Sequence, residues 1–145
     1  MPVWGAVCLL LIILLTISTV VLWQRVNRLS QAEPATALQT VNLTGTQMAP
    51  YANGLIVISL DGQHGTLVVD RLPALDDDHQ YQLWLIENSH RDSGAVFSVS
   101  QTGYGSVWVS SPKPLAYYSN FGISVEPAGG SPSPTGNKVL GGSIQ

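Results

Sequence analysis

Between Val3 and Trp23 the chain carries twenty-one residues without a charged side chain, beginning almost at the first methionine. As a helix, at 1.5 Å per residue, such a run is about 32 Å long, close to the roughly 30 Å hydrocarbon thickness of a bilayer. A helix apolar on every side has no water-facing stripe, so the run reads as one N-terminal transmembrane α-helix, with membrane lipid as its partner. Trp4 and Trp23 stand at its two ends, where indole rings favour the headgroup layer, and are read as membrane anchors. Thr16, Ser18 and Thr19 can return their hydroxyls to the helix's own carbonyls.

A cleaved secretory signal has a basic start, a shorter apolar core and small residues at the cleavage site. Here only the α-amino group supplies positive charge before the run, and Leu22-Trp23-Gln24-Arg25 is a poor peptidase site. Ala35-Thr36-Ala37 has the right form but lies more than ten residues downstream. Residues 1–23 are therefore expected to be an uncleaved anchor. Cys8, the only cysteine, lacks a lipoprotein context and reads as a small residue facing lipid or a neighbouring helix. Arg25 and Arg28 give a weak bias toward a cytoplasmic C-terminal side, but the composition beyond them argues for export. From Pro34 onward four basic residues face eight acidic ones, a net charge of −4, which gives no reason to expect nucleic-acid binding. With no cysteine after residue 8, that part of the chain is held by its core and not by disulfides.

Residues 24–39 read as a juxtamembrane linker, ended as a helix by Glu33-Pro34. Residues 40–145 are enough for one domain with a single core. The pattern there is β throughout. Val41 and Leu43 alternate with polar neighbours, and Leu55 to Leu60 pairs through the turn Asp61-Gly62-Gln63-His64-Gly65 with Thr66 to Val69 as a hairpin. Tyr81 to Ile86 puts Tyr81, Leu83 and Leu85 on one face and Trp84 and Ile86 on the other, a two-sided apolarity that suits a central strand. Gly94 to Val99, Ser106 to Ser110 and Phe121 to Glu126 supply further short strands, the last with Phe121, Ile123 and Val125 pointing one way. Short strands at this spacing, with Gly and Pro between them, predict an all-β fold: an antiparallel β-sandwich, immunoglobulin-like in outline.

With the strands placed, Leu72-Pro73-Ala74-Leu75, then Tyr81-Gln82-Leu83-Trp84-Leu85-Ile86, Gly94-Ala95-Val96-Phe97 and the stretch from Phe121 to Gly136 resemble, in order, the C-terminal domain of anti-sigma-K factors of the RskA type. The tail Glu126-Pro127-Ala128-Gly129-Gly130-Ser131, closing on Pro134-Thr135-Gly136, is the most specific part. The resemblance implies an extracytoplasmic β-sandwich, joined by one transmembrane helix to a cytoplasmic helical domain that sequesters a sigma factor. It implies localisation in the cytoplasmic membrane as a single-pass protein, and a non-enzymatic role in envelope signalling. Tyr81, Gln82, Leu83, Trp84, Glu126, Pro127, Gly129, Gly130, Pro134 and Gly136 carry the family motif, with structural roles. Only Met1 and Pro2 precede the run, so the sigma-binding part is expected to be absent or supplied by a separate subunit. The alternative is a small accessory subunit of a larger membrane complex, its helix packing laterally and its sandwich capping the outer face.

Catalytic chemistry finds no support in the residues. Gly130 to Gly136 followed by Lys138 superficially resembles a phosphate-binding loop, but five residues separate the glycines, Asn137 intervenes, and Pro132 and Pro134 remove backbone amides. The tail reads instead as a stiffened chain reversal, in which Glu126 can accept hydrogen bonds from the Gly129 and Gly130 amides as a clasp. His64, His79 and His90 lie singly in loops without ligand spacing, and Asp76-Asp77-Asp78 lacks the alternating oxygens and glycine of a calcium loop. No metal, cofactor or small-molecule substrate is expected, and no serine, cysteine or carboxylate arrangement has a catalytic motif. Of the aromatic residues Trp84, Tyr104, Trp108, Tyr117 and Tyr118, the candidate partner surface is Trp108, Tyr117 and Tyr118.

Overall fold

The computed structural model describes residues 15–24 and 38–144. Residues 15–24 are helical, and Thr19 donates its hydroxyl to the Leu15 and Thr16 carbonyls at 3.0 and 2.9 Å, as the local sequence predicts. Residues 3–14 of the apolar run, Trp4 among them, and most of the linker lie outside the described residues. Among the described residues no helix is long and apolar enough to cross a membrane.

The second unit, from Leu38 onward, contains eight strands: β1 (Gln39–Gly45), β2 (Asn53–Ile58), β3 (His64–Asp70), β4 (His79–Glu87), β5 (His90–Phe97), β6 (Gly105–Ser110), β7 (Asn120–Pro127) and β8 (Lys138–Ser143). Every strand pair is antiparallel, and all eight belong to one sheet in the order β5-β4-β7-β8-β1-β2-β3-β6. The all-β antiparallel expectation holds. The division into two sandwiched sheets does not, because β1 pairs with both β2 and β8 and so joins what would have been separate sheets.

Chain connectivity forces this sheet to curl. Its two edges, β5 and β6, are consecutive in sequence, linked only by residues 98–104. Eight flat strands would hold the edges about 34 Å apart, whereas the chain from Phe97 to Gly105 spans at most about 28 Å when fully extended. The link is in fact a tight reversal, with the Gly103 amide on the Ser100 carbonyl at 2.9 Å and the Ser100 amide on the Tyr104 carbonyl at 2.8 Å. The sheet is therefore a nearly closed, barrel-like wall. β5 and β6 share no ladder, and side chains from the segment after β6 bridge the seam. Tyr118, following a 3₁₀ turn over Leu115–Tyr117, donates its hydroxyl to Asp92 on β5 at 2.6 Å and accepts from Ser111 at 3.1 Å. Leu115 anchors this segment, its amide donating to the Gly62 carbonyl at 2.6 Å.

The interior follows from period-two alternation. Val41 and Leu43, Ile56 and Ile58, Leu67 and Val69, Tyr81, Leu83 and Leu85, Phe121 and Ile123 all point inward and are buried, joined by Leu115 and Tyr118 from the loop. Burial pushes the Tyr81 hydroxyl up to about 12, and that hydroxyl donates to the Pro73 carbonyl at 2.6 Å. The opposite alternation of β4 and β7 sends Gln80, Gln82, Trp84, Ser124 and Glu126 to the outer face, yet four of these five are also buried: Gln82, Trp84, Ser124 and Glu126.

Candidate functional site

What buries them is the chain after β7. Residues 128–137 leave the end of that strand and fold back across the outer face of β4 and β7, tied to the sheet at both ends. The Ala128 amide reaches the Asp78 carbonyl at 2.8 Å, and the Val125 amide takes the Asn137 carbonyl at 3.1 Å. Between these points the two glutamines of β4 act as adaptors. Gln80 accepts from the Gly129 amide at 2.8 Å. Gln82 accepts from the Ser131 amide at 2.8 Å and donates to the Ser131 carbonyl at 3.1 Å and to the Ser93 hydroxyl at 2.8 Å. Gly130 has φ +84°, and a Cβ there would lie 2.7 Å from Val96. Only glycine meets both conditions.

Glu126 is the centre of the clasp and is 0 % exposed. Its carboxylate accepts from the Thr135 amide at 3.1 and 3.0 Å, from the Gly136 amide at 3.3 Å, and from the hydroxyls of Ser124 and Thr135. Ser124 can donate to Glu126 because its oxygen in turn accepts the Trp84 indole N–H at 2.8 Å. Burial alone would raise the carboxyl, but the hydroxyls of Ser124 and Thr135 and the Thr135 amide outweigh it and hold the group down at about 2. The clasp expected from the sequence is present with different partners: the Gly129 and Gly130 amides serve Gln80 and the Pro127 carbonyl, while Glu126 is served from the far end of the loop. The reason is reach. A carboxylate on the outer face of β7 meets the returning arm of the loop, whereas Gly129 and Gly130 are still turning away at positive φ. With its oxygens saturated, Glu126 is a structural anchor and not an acid–base group.

The aromatic candidates separate. Trp108 on β6 is 61 % exposed and stacks at 5.4 Å, tilted by 34°, on His64 of β3. Tyr117 is 48 % exposed, with the Lys113 ammonium 4.2 Å above its ring. Tyr118, expected beside them at the surface, is 0 % exposed. It turns inward to bridge the β5–β6 seam and meets Tyr117 edge to face at 5.4 Å. Pattern reading could not separate two adjacent tyrosines in a loop; the seam decides which one is buried. His64, the exposed neighbour of Trp108, was not marked by the sequence, although the β3–β6 register sets His64 against Ser110 and Thr66 against Trp108.

Each histidine is matched to an aspartate: His64 to Asp61 at 3.3 Å, His79 to Asp76 at 2.6 Å and His90 to Asp92 at 3.0 Å. The hydrogen bond from His79 lowers the Asp76 carboxyl, and that from Tyr118 chiefly lowers Asp92. Among the described residues no three groups converge as metal ligands. Pro127 is exposed at the end of β7, opposite His79, and Trp23 is exposed on the described helix.

The arrangement is that of a β-domain whose most distinctive segment fastens its own outer face and whose exposed aromatic groups lie elsewhere: Tyr51 between β1 and β2, Tyr104 before β6, Trp108 on β6 and Tyr117 after it. A family model described as the C-terminal region of the anti-sigma-K factor RskA matches residues 3–139. No curated protein and no solved structure matches the chain. The family match takes in both the apolar run and the clasped tail, and the chain belongs to the family of anti-sigma-K factor RskA C-terminal domains.

Proposed function

We propose that the chain is a single-pass protein of the cytoplasmic membrane, with residues 1–23 as anchor, 24–39 as linker and an extracytoplasmic β-domain from residue 40. In this reading it regulates envelope signalling through protein contacts and without catalysis. The observation that carries this is the extent of the family match, which begins at residue 3 and so includes the uncharged run together with the β-domain. The described part of that run adds support, since Leu15, Ile17, Val20, Val21, Leu22 and Trp23 all present large apolar side chains outward, a surface suited to lipid and costly in water. For protein contact, the Trp108–His64 stack offers an exposed aromatic of the type enriched at the centre of interfaces. The partner implied by the family is a sigma factor or a subunit that holds one.

Protease protection on intact cells tests the topology. The β-domain is expected to be cleaved from outside, and a β-domain protected until the membrane is opened overturns the reading. Co-purification in mild detergent tests the regulation. A sigma-linked partner is expected; a stable assembly lacking one makes the chain an accessory subunit of a larger membrane complex instead.

A further inference from the structure

The outer face of the sheet contains a hollow that the clasp does not fill. Across β5, β4, β7, β8 and β1 the pairing aligns Ser93, Trp84, Gly122, Gly141 and Thr44 in one outward row. The middle of that row is two glycines, so the sheet surface dips where its neighbours carry side chains. Trp84 and Ile86 wall the dip on one side, Pro134 and Gly136 of the tail on another, and the space enclosed is about 200 Å³.

Two cations converge on it. Arg91 pairs across the ladder with Ile86 and borders the hollow from β5. Lys138 enters from β8 and lies across the glycines: a Cβ on Gly141 would sit 2.6 Å from its Nζ, and one on Gly122 would sit 3.7 Å away. Both side chains are exposed, and among the described residues neither is in an ion pair, whereas Arg71 is held by Asp70 at 3.2 Å. Glu126, the carboxylate of the clasp, is turned to Thr135 and Gly136 and does not line the hollow. Half of the four basic residues beyond Pro34 thus border one small depression in a segment with eight acidic ones.

We propose that this hollow binds one oxyanion, the carboxylate of an acidic side chain on a partner protein, held between the Arg91 guanidinium and the Lys138 ammonium with its methylenes against Ile86. The charge balance selects that source. A domain of net charge −4 repels an extended anionic sheet such as an acidic membrane, while two local cations beside an apolar wall accept a single acidic side chain. The proposal rests on the reading of the domain as a protein-contact module and names the chemistry of one contact.

The test is a ¹H–¹⁵N NMR titration of the full chain in zwitterionic micelles with hexaglutamate, read at the Trp84 indole N–H and the Gly122 and Gly141 amides. Saturable shifts at these three reporters are expected. They should weaken as salt is added and become about fivefold weaker in the Arg91→Gln/Lys138→Gln double variant, with hexaglutamine giving none. Both side chains are exposed, so the double variant should melt like the parent. Absence of saturable shifts, equal binding by the double variant, tighter binding of inorganic phosphate than of hexaglutamate, or a response to anionic vesicles alone each overturns the proposal. The titration needs no natural partner, so its failure is separate from a failed co-purification, and Trp108→Ala should leave it unchanged.

Discussion

Replacing Glu126 by glutamine keeps the shape of the clasp and removes its charge. In the folded chain this carboxyl titrates at about 2, against an ordinary glutamate value of 4.5. Each pKa unit is about 1.4 kcal/mol, so the ionised group stabilises the fold by about 3 kcal/mol at neutral pH. The folded value is the lower one, so the unfolded chain binds more protons between the two values. The stabilisation is therefore complete above pH 4.5 and disappears as pH falls through about 2. Urea unfolding of the parent and Glu126→Gln, in parallel from pH 7 to pH 3, should show a gap of about 3 kcal/mol at pH 7, shrinking to about 1 kcal/mol at pH 3. Asp61, Asp76 and Asp92 are also held low, but both chains share them, so they cancel in the difference. A gap that stays constant with pH would mean that the clasp works by shape and not by charge. A gap below about 1 kcal/mol at pH 7 would sink the reasoning outright.

Three further outcomes follow from the same geometry. In Gly136→Ala the new Cβ meets the Val125 carbonyl oxygen, which the β7 ladder prevents from moving, and the loss should be about 2–3 kcal/mol in urea unfolding. Tyr118→Phe removes the hydroxyl that bridges Asp92 and Ser111 across the seam; it should cost about 1–2 kcal/mol, and ¹³C-detected titration should find the Asp92 carboxyl moved up toward its ordinary value. Trp108→Ala changes only an exposed side chain, so stability should stay within about 0.5 kcal/mol while co-purification of the partner is lost; retention of the partner would remove Trp108 from the interface.

Seven of the eight strands were legible because apolar alternation marks the face that meets the core; β8 was not, because Gly141 and Gly142 interrupt its pattern. Tyr81, Leu83 and Leu85, and Phe121 and Ile123, point inward as their spacing predicts. Sheet closure was not legible, because nothing local in Gly94 to Val99 or Ser106 to Ser110 says that these are the two edges of one sheet. That follows only from the pairing order, in which β7 and β8 insert between β4 and β1. The fate of Tyr118 depends on the same long-range fact. The clasp was half legible: Glu126 and the glycines marked the place, but the choice of Thr135 and Gly136 as donors depends on how far the loop travels before it returns. The convergence of Arg91 and Lys138, distant in sequence, needed the register of four strands.

The most recognisable stretch of the sequence fastens the fold, while the side chains proposed above for partner contact, Trp108, Arg91 and Lys138, lie outside it. A carboxyl held at about 2 stays ionised at every pH where the ordinary glutamate value would allow switching, so the Glu126 clasp is a permanent fastening and not a pH sensor. Its backbone amides and glutamine adaptors are used up within the fold, leaving the tail rigid and chemically quiet. The clasp also acts on the outer face: Pro134 and Gly136 form one rim of the hollow that Arg91 and Lys138 border. Trp108, His64, Arg91 and Lys138 all lie outside the tail motif, on β6, β3, β5 and β8. On the proposals above, the clasp fixes the scaffold and these exposed positions meet the partner.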